Sequence, residues 1–204
     1  MVRHGQSEAN VGEIFAGTKI NARLTEKGEK QAKLCAEYAV ANYKIDKVYA
    51  SDLIRAYNTG KAVADLLGLD VTICEGVREI YAGEWEGLNF DELKEKYTDD
   101  FDVWFNDIYS CRCTGGESVA ELSVRVLDAL TKIALENEGK TILVATHYTP
   151  VRVMQAYAST GDYTRIQEFS YIPNTSITEL YFDGKSWSAG EISIRRHLDG
   201  VELD

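Results

Sequence analysis

The chain has 204 residues, with 22 lysines and arginines against 33 aspartates and glutamates; the formal net charge of −11 repels polyanions and excludes nucleic acid as a general partner. Hydrophobic residues make up 45% of it, with no repeat, low-complexity tract or proline-rich linker, which fits one domain over 1–204. Its apolar runs, such as 141–145, fall far short of the roughly 20 residues that span a bilayer, and no basic leader precedes one, so the sequence reads as a cytosolic protein with no membrane partner.

Met1-Val2 offers only the stub of a strand before Arg3-His4-Gly5-Gln6-Ser7. A parallel strand at a sheet centre normally runs about five or six residues, and a charged amino terminus there faces a large desolvation cost. The expectation is a natural start upstream of this one, with restored apolar residues raising the melting temperature. Thr25 is placed to N-cap an amphipathic helix reaching about Tyr43, with Ala32, Leu34, Cys35, Tyr38 and Ala39 on its apolar face. Residues 47–50 read as a short buried strand, 52–67 as a helix stopped by Gly68, and 71–74 as the next strand. Between 89 and 116 short helices carrying Phe90, Tyr97, Phe101, Trp104, Phe105 and Tyr109 suggest a small helical lid insertion. A long helix over 117–137 precedes a nearly continuous apolar strand over 140–146, the pattern of a strand covered by helices on both faces. Residues 177–182 and 187–194, joined across Asp183-Gly184-Lys185-Ser186, read as a closing β-hairpin. The alternation of helix, strand and turn predicts an α/β fold.

His4 and His147 each follow a predicted strand and precede a loop and a helix, where an open α/β sheet converges side chains on one ligand. A single histidine near a terminus is more often structural, but these two have company. Arg55 lies in Ser51-Asp52-Leu53-Ile54-Arg55, just past a strand, and Glu79 opens a segment whose Gly83 and Gly87 mark tight turns rather than a helix. His197, beside Arg195 and Arg196, is read as a surface residue without a role. Cys35, Cys74, Cys111 and Cys113 lack zinc-site spacing and are read as reduced structural thiols, with no metal.

In this order, Arg3-His4-Gly5-Gln6-Ser7 with Asn10, Leu24-Thr25 with Gly28 and Gln31-Ala32, the Arg55 segment, Glu79 to Gly87, Gly116-Glu117-Ser118, and His147 with Arg152 resemble the histidine phosphatase superfamily, the phosphoglycerate mutase-like proteins. The resemblance covers nearly the whole chain. It implies a three-layer α/β/α sandwich on a mostly parallel central sheet, His4 as a transiently phosphorylated nucleophile, Arg3, Arg55 and His147 as the phosphate clamp, and Glu79 as general acid. It places Asn10, Gln6, Gly17 and Tyr148 against the substrate. These residue types suit the chemistry. Guanidinium forks neutralise equatorial phosphoryl oxygens without a metal, a neutral imidazole held in one tautomer can attack phosphorus in line, and a carboxyl group beside phosphate is kept protonated long enough to donate. Hydrolysis by this route needs no cofactor.

Mutases of this family return the phosphoryl group to a bound product, and phosphatases give it to water. Where mutases carry a phosphate-binding lysine this chain has Phe90, and where they carry a hydroxyl beside glycine it has Ala16 beside Gly17. From 89 to 113 it has Lys94, Lys96 and Arg112 against Asp91, Glu92, Glu95, Asp99, Asp100, Asp102 and Asp107, an acidic lid poorly suited to a bisphosphate. The expectation is a phosphatase of a small phosphorylated metabolite, with mutase-type transfer as the alternative; oligomeric state, a homodimer included, is left open. A non-catalytic binding protein would be expected to have lost His4 or Glu79, and both are present. Tyr148 stands where the family commonly has glycine and is expected over the pocket mouth.

Overall fold

A computed structural model describes residues 1–201. Four parallel strands, β1 (Val2–Arg3), β2 (Lys47–Ala50), β3 (Val71–Ile73) and β4 (Ile142–Thr146), form a sheet in the order β1-β4-β2-β3. Side chains alternate across it as a pleat requires. Val48, Ala50, Leu143 and Ala145 face one layer, where they meet Cys35, Ala36 and Ala39 of helix α2 (Glu26–Asn42) and Val63 and Ala64 of α3 (Ile54–Leu67). Tyr49 and Val144 face the other, with Leu122, Val126 and Leu130 of α6 (Val119–Glu136) and Val153 and Met154 of α7 (Tyr148–Thr160). The result is the three-layer sandwich implied by the motifs. The remaining helices, numbered in chain order, are α1 (Glu8–Val11), α4 (Phe90–Lys96) and α5 (Thr98–Asn106). None is long and apolar enough among the described residues to cross a membrane.

The helix ends follow local chemistry. Thr25 Oγ1 accepts the Gly28 amide at 3.0 Å to cap α2, and Gly68 ends α3 in the left-handed conformation at φ 65°. The 117–137 helix starts two residues later than expected because Ser118 is its N-cap, in a capping box with Glu121 of the first turn. In the lid segment, Trp104 and Leu93 are buried, and Phe15 packs edge-on against Trp85, Trp104 and Phe90.

The C-terminal hairpin is β5 (Leu180–Phe182) with β6 (Trp187–Ala189), its turn held by the Asp183 carboxylate accepting the Lys185 and Ser186 amides at 2.8 Å each. Past β6 the Gly190 amide donates to the Glu179 carbonyl at 3.0 Å and the Glu179 amide to the Glu191 carbonyl at 2.9 Å, the missing Cβ of Gly190 makes room for the Glu179 carboxylate, and a bridge joins Ile177 to Ile194. β1 is short, yet it is flanked on both sides: by β4, and by antiparallel contacts with residues 175–178. The Met1 ammonium donates to the Thr178 carbonyl at 2.7 Å, and burial draws its pKa down to about 6.

His197 corrects the sequence reading, because it is buried rather than on the surface. The Thr175 hydroxyl donates to the Asn174 carbonyl at 2.8 Å, so the His197 Nε2–H donates to Thr175 Oγ1 at 3.0 Å, and Nδ1 is buried without a partner. A second proton would have no acceptor; burial first, then the Arg195 charge, lowers the pKa from 6.5 to about 4. Between those values the unfolded chain binds more protons than the folded one, so stability falls as pH is lowered through the window. The melting temperature is expected to drop over that interval, and to drop less in His197→Gln, whose amide retains the donor. Equal slopes in calorimetric scans would remove His197 from the acid response.

Candidate active site

His4 leaves the end of β1 with its backbone amide bonded to Thr146 at 3.0 Å, and its side chain is buried. Nδ1 lies 2.7 Å from the Gly5 carbonyl, which can only accept, so Nδ1 carries the proton and the Nε2 lone pair stays uncommitted. Burial, then the charges of Arg55 and Arg3, hold the pKa well below its ordinary value. Two glycines of the motifs are explained by close approach. A Cβ on Gly5 would strike the Gly28 carbonyl, and one on Gly28 would strike the Gln6 carbonyl, so the loop after His4 lies directly on the first turn of α2. The Gly5 amide donates to Thr59 Oγ1 at 3.1 Å, tying the same loop to α3.

Arg55, in the first turn of α3, is buried and donates to the carbonyls of Gly17 at 2.9 Å and Ile20 at 3.2 Å. Those carbonyls are presented by a loop that Glu86 pins: its carboxylate accepts the amides of Thr18 and Ala82 at 3.1 Å, Ile20 at 3.3 Å, and Lys19. Arg3 donates Nη1 to the Ile172 carbonyl at 2.6 Å, while its Nε is buried without a partner. Among the described residues neither arginine forms an ion pair. Burial lowers both pKa values, that of Arg55 to about 10, yet each stays charged at neutral pH.

His147 directly follows β4 and stands at the N-cap of α7, with its ring 5.2 Å from that of His4 in an edge-on arrangement. Its Nε2 lies 2.9 Å from the Ser51 hydroxyl, and its Nδ1 is buried without a partner. Burial, then Arg55, keeps its pKa well below the usual value, so the imidazole is neutral here rather than already cationic. Glu79 extends one carboxylate oxygen to the Ile80 amide at 2.9 Å and the other to the Thr149 amide at 3.3 Å, at the N-terminus of α7. Its backbone is held from behind. Arg125 donates to the carbonyls of Gly76, Arg78 and Glu79 at 2.9–3.0 Å and forms a fork with the Glu117 carboxylate at 2.6 and 2.9 Å. The Gly116 position is needed because a Cβ there would strike the Tyr81 carbonyl.

The structure therefore brings His4, His147, Arg3, Arg55 and Glu79 together around the C-terminal ends of β1 and β4. The substrate-contact set is more mixed. Gly17 acts through its carbonyl on Arg55, and Gln6 is engaged by Thr25 and Gln31. Asn10 closes the capping box with Ser7 and accepts from Asn174 at 3.2 Å. The Tyr148 hydroxyl donates to the Ser170 carbonyl at 2.8 Å, so it anchors a neighbouring segment instead of hanging free over the mouth. Sequence reasoning missed Asn174, whose amide donates to the His4 carbonyl at 3.0 Å, and gave no role to Ser51, Glu86, Glu117 or Arg125. Three of these, Ser51, Glu86 and Glu117, sit inside the recognised motifs, so the signal was there without a geometry to interpret it.

No group of three or more residues among those described could hold a metal ion. What converges instead is one imidazole lone pair, two cationic forks and a carboxyl group, an arrangement able to bind a tetrahedral anion and transfer it to nitrogen.

The sequence matches the histidine phosphatase superfamily (branch 1) over residues 1–194. It is 30% identical over 198 residues to Phosphoserine phosphatase 1 of Hydrogenobacter thermophilus, covering 97% of this chain and 92% of that one. It is 31% identical over 223 residues to "Probable phosphoglycerate mutase GpmB" of Enterobacter sp. (strain 638), covering 100% and 96%. The crystal structure of a phosphoserine phosphatase from Entamoeba histolytica in complex with 3-phosphoglyceric acid superimposes with a TM-score of 0.83 at 28% identity, over 97% of this chain and 96% of that one.

Long-range proton–nitrogen spectra at pH 6 are expected to show His4 and His147 both neutral, with the His4 proton on Nδ1. Inorganic phosphate should raise the pKa of both rings, since an anion beside an imidazole favours its charged form. A doubly protonated His4 in the free protein at that pH would contradict the burial argument.

Proposed function

The chain belongs to the histidine phosphatase superfamily, branch 1, and on that premise we propose that it hydrolyses small phosphate monoesters without a metal, through a phosphohistidine formed on His4. The observation that carries this reading is the uncommitted Nε2 lone pair of His4 beside two buried groups without partners, Arg3 Nε and His147 Nδ1.

Arg3, Arg55 and His147 hold the phosphoryl oxygens, and His4 Nε2 attacks phosphorus opposite the ester oxygen. As the N–P bond forms, the P–O bond to the alcohol breaks, and Glu79, acting as general acid, gives a proton to the leaving oxygen. Glu79 then takes a proton from a water whose oxygen attacks phosphorus. The N–P bond breaks, phosphate leaves, and His4 returns to its starting tautomer. Ser51 keeps the His147 ring in one orientation, and the Glu117–Arg125 pair keeps the Glu79 backbone in place.

Hydrolysis is favoured over mutase-type transfer by the lid. Phe90 packs its ring against Phe15 and Phe105 where a mutase needs a cation, and the helices beside it are acidic. The substrate class the site suits best is a phosphorylated amino or hydroxy acid. Lys19 leaves the loop that holds Arg55 and lays its ammonium 5.0 Å from the ring centroid of Tyr81, two residues from Glu79. Among the described residues no carboxylate pairs with Lys19. A substrate carboxylate would meet that cation; the relative named phosphoserine phosphatase supports the same class.

Phosphate release from para-nitrophenyl phosphate in excess EDTA is expected in the wild type and should fall by more than about 10³-fold in His4→Ala. Interconversion of 3- and 2-phosphoglycerate without release would assign the mutase instead, and phosphate-ester binding without turnover would assign a binding protein. Lys19→Ala should lower kcat/KM about tenfold for O-phosphoserine or 3-phosphoglycerate, as loss of a charge-assisted hydrogen bond predicts, and leave para-nitrophenyl phosphate within about twofold. An equal change in both would remove the carboxylate assignment.

A further inference from the structure

The segment 169–174 lies along the site without forming helix or strand, and it is tied down at alternate residues. The Ser170 carbonyl accepts from the Tyr148 hydroxyl at 2.8 Å, the Ile172 carbonyl from Arg3 Nη1 at 2.6 Å, and the Asn174 side chain donates to the His4 carbonyl at 3.0 Å. Two of those tethers involve residues of the phosphate site itself. The third, Tyr148, does something further: its ring centroid lies 5.2 Å from the guanidinium carbon of Arg3 and 5.8 Å from that of Arg152. Both distances fall within the range at which a cation is attracted to an aromatic ring. Arg152 is buried and donates to the Ile166 carbonyl at 3.0 Å, so one side of the ring is fixed by a residue anchored to the fold.

Arg3 is thereby located by two contacts that leave its Nε free: a carbonyl on Nη1 and the Tyr148 ring. A long flexible side chain with only the carbonyl would still swing about that bond, losing entropy when phosphate captured it. We propose that Tyr148 is a positioning residue, which orients the Arg3 guanidinium for the phosphoryl group and links it to the 169–174 strap, rather than a residue that touches the substrate. The place after the second histidine, commonly glycine in the family, is used in this chain to stiffen the clamp. Tyr148 begins α7 directly after His147, so the same helix N-terminus that sets the second histidine also sets the first arginine.

The inference rests on the reading of this site as a phosphate site, and a double-mutant cycle separates the two. The dissociation constant for inorganic phosphate is measured by calorimetry in the wild type, Tyr148→Leu, Arg3→Lys and the double variant, with KM and kcat for para-nitrophenyl phosphate alongside. If Tyr148 acts through Arg3, Tyr148→Leu weakens phosphate about tenfold in the wild-type background and less than about twofold when Arg3 is already lysine. Tyr148→Phe, which keeps the ring and loses only the contacts of the hydroxyl with Ser170 and Arg152, stays within about twofold of wild type. Equal losses from Tyr148→Leu in both backgrounds, or a loss in Tyr148→Phe as large as in Tyr148→Leu, overturn the proposal. Should Tyr148→Leu fail to fold, Tyr148→Met runs the same cycle. A folded wild type that binds no phosphate overturns the phosphate-site reading and the inference with it.

Discussion

Two guanidinium groups held out of water, with no carboxylate among the described residues paired to either, are the constraint around which this molecule is arranged. Desolvating a charge costs several kcal/mol even after relaxation, and a direct ion pair would remove much of the positive potential an anion must find. Carbonyl oxygens resolve the conflict. Those of Gly17, Ile20 and Ile172 solvate Arg55 and Arg3 with dipoles and leave the net charge intact. The neutrality of His4 and His147 follows first from burial and then from the same field, since a third or fourth buried positive charge there would be repelled.

Carbonyls can play that part only if the loops bearing them stay in place, and the chain assigns carboxylates to this task. Glu86 gathers four backbone amides and fixes the loop facing Arg55. Glu117 fixes Arg125, which in turn gathers three carbonyls beneath Glu79. In a protein of net charge −11, these glutamates serve as hydrogen-bond hubs for the loops and are not paired with the proposed phosphate clamp of Arg3 and Arg55. The negative surface and the positive pocket thus coexist, a contrast that draws small anions inward.

Much of this was legible in the residues. The apolar run ending at Thr146 marked β4, Gly68 marked a helix end, and the five polar residues that the structure brings together were singled out from their motifs. What was hidden depended on pairs far apart in the chain. Asn174 meets His4 across 170 positions, Ser51 meets His147 across 96, and neither pair leaves a periodic trace. His197 was misread for the same reason: its neighbours in sequence are charged, while its neighbours in space are Thr175 and Tyr38. Tyr148 could be singled out as unusual, yet its direction depended on Ser170, which no spacing rule connects to it.

Gly28 shows how far the chemistry reaches into the scaffold. Inside a helix, glycine is ordinarily worth replacing, since alanine gains roughly 1 kcal/mol of helix propensity. Here the third residue of α2 lies against the Gln6 carbonyl, closer than any side chain permits, and Gln6 is two residues from His4. Propensity-guided stabilisation would rank this position among its first targets, and the substitution would push the histidine loop away from β4. An improvement scored on the helix alone would therefore be taken from the geometry around His4, and design of a hardier variant has to treat the first turn of α2 as part of the proposed active site.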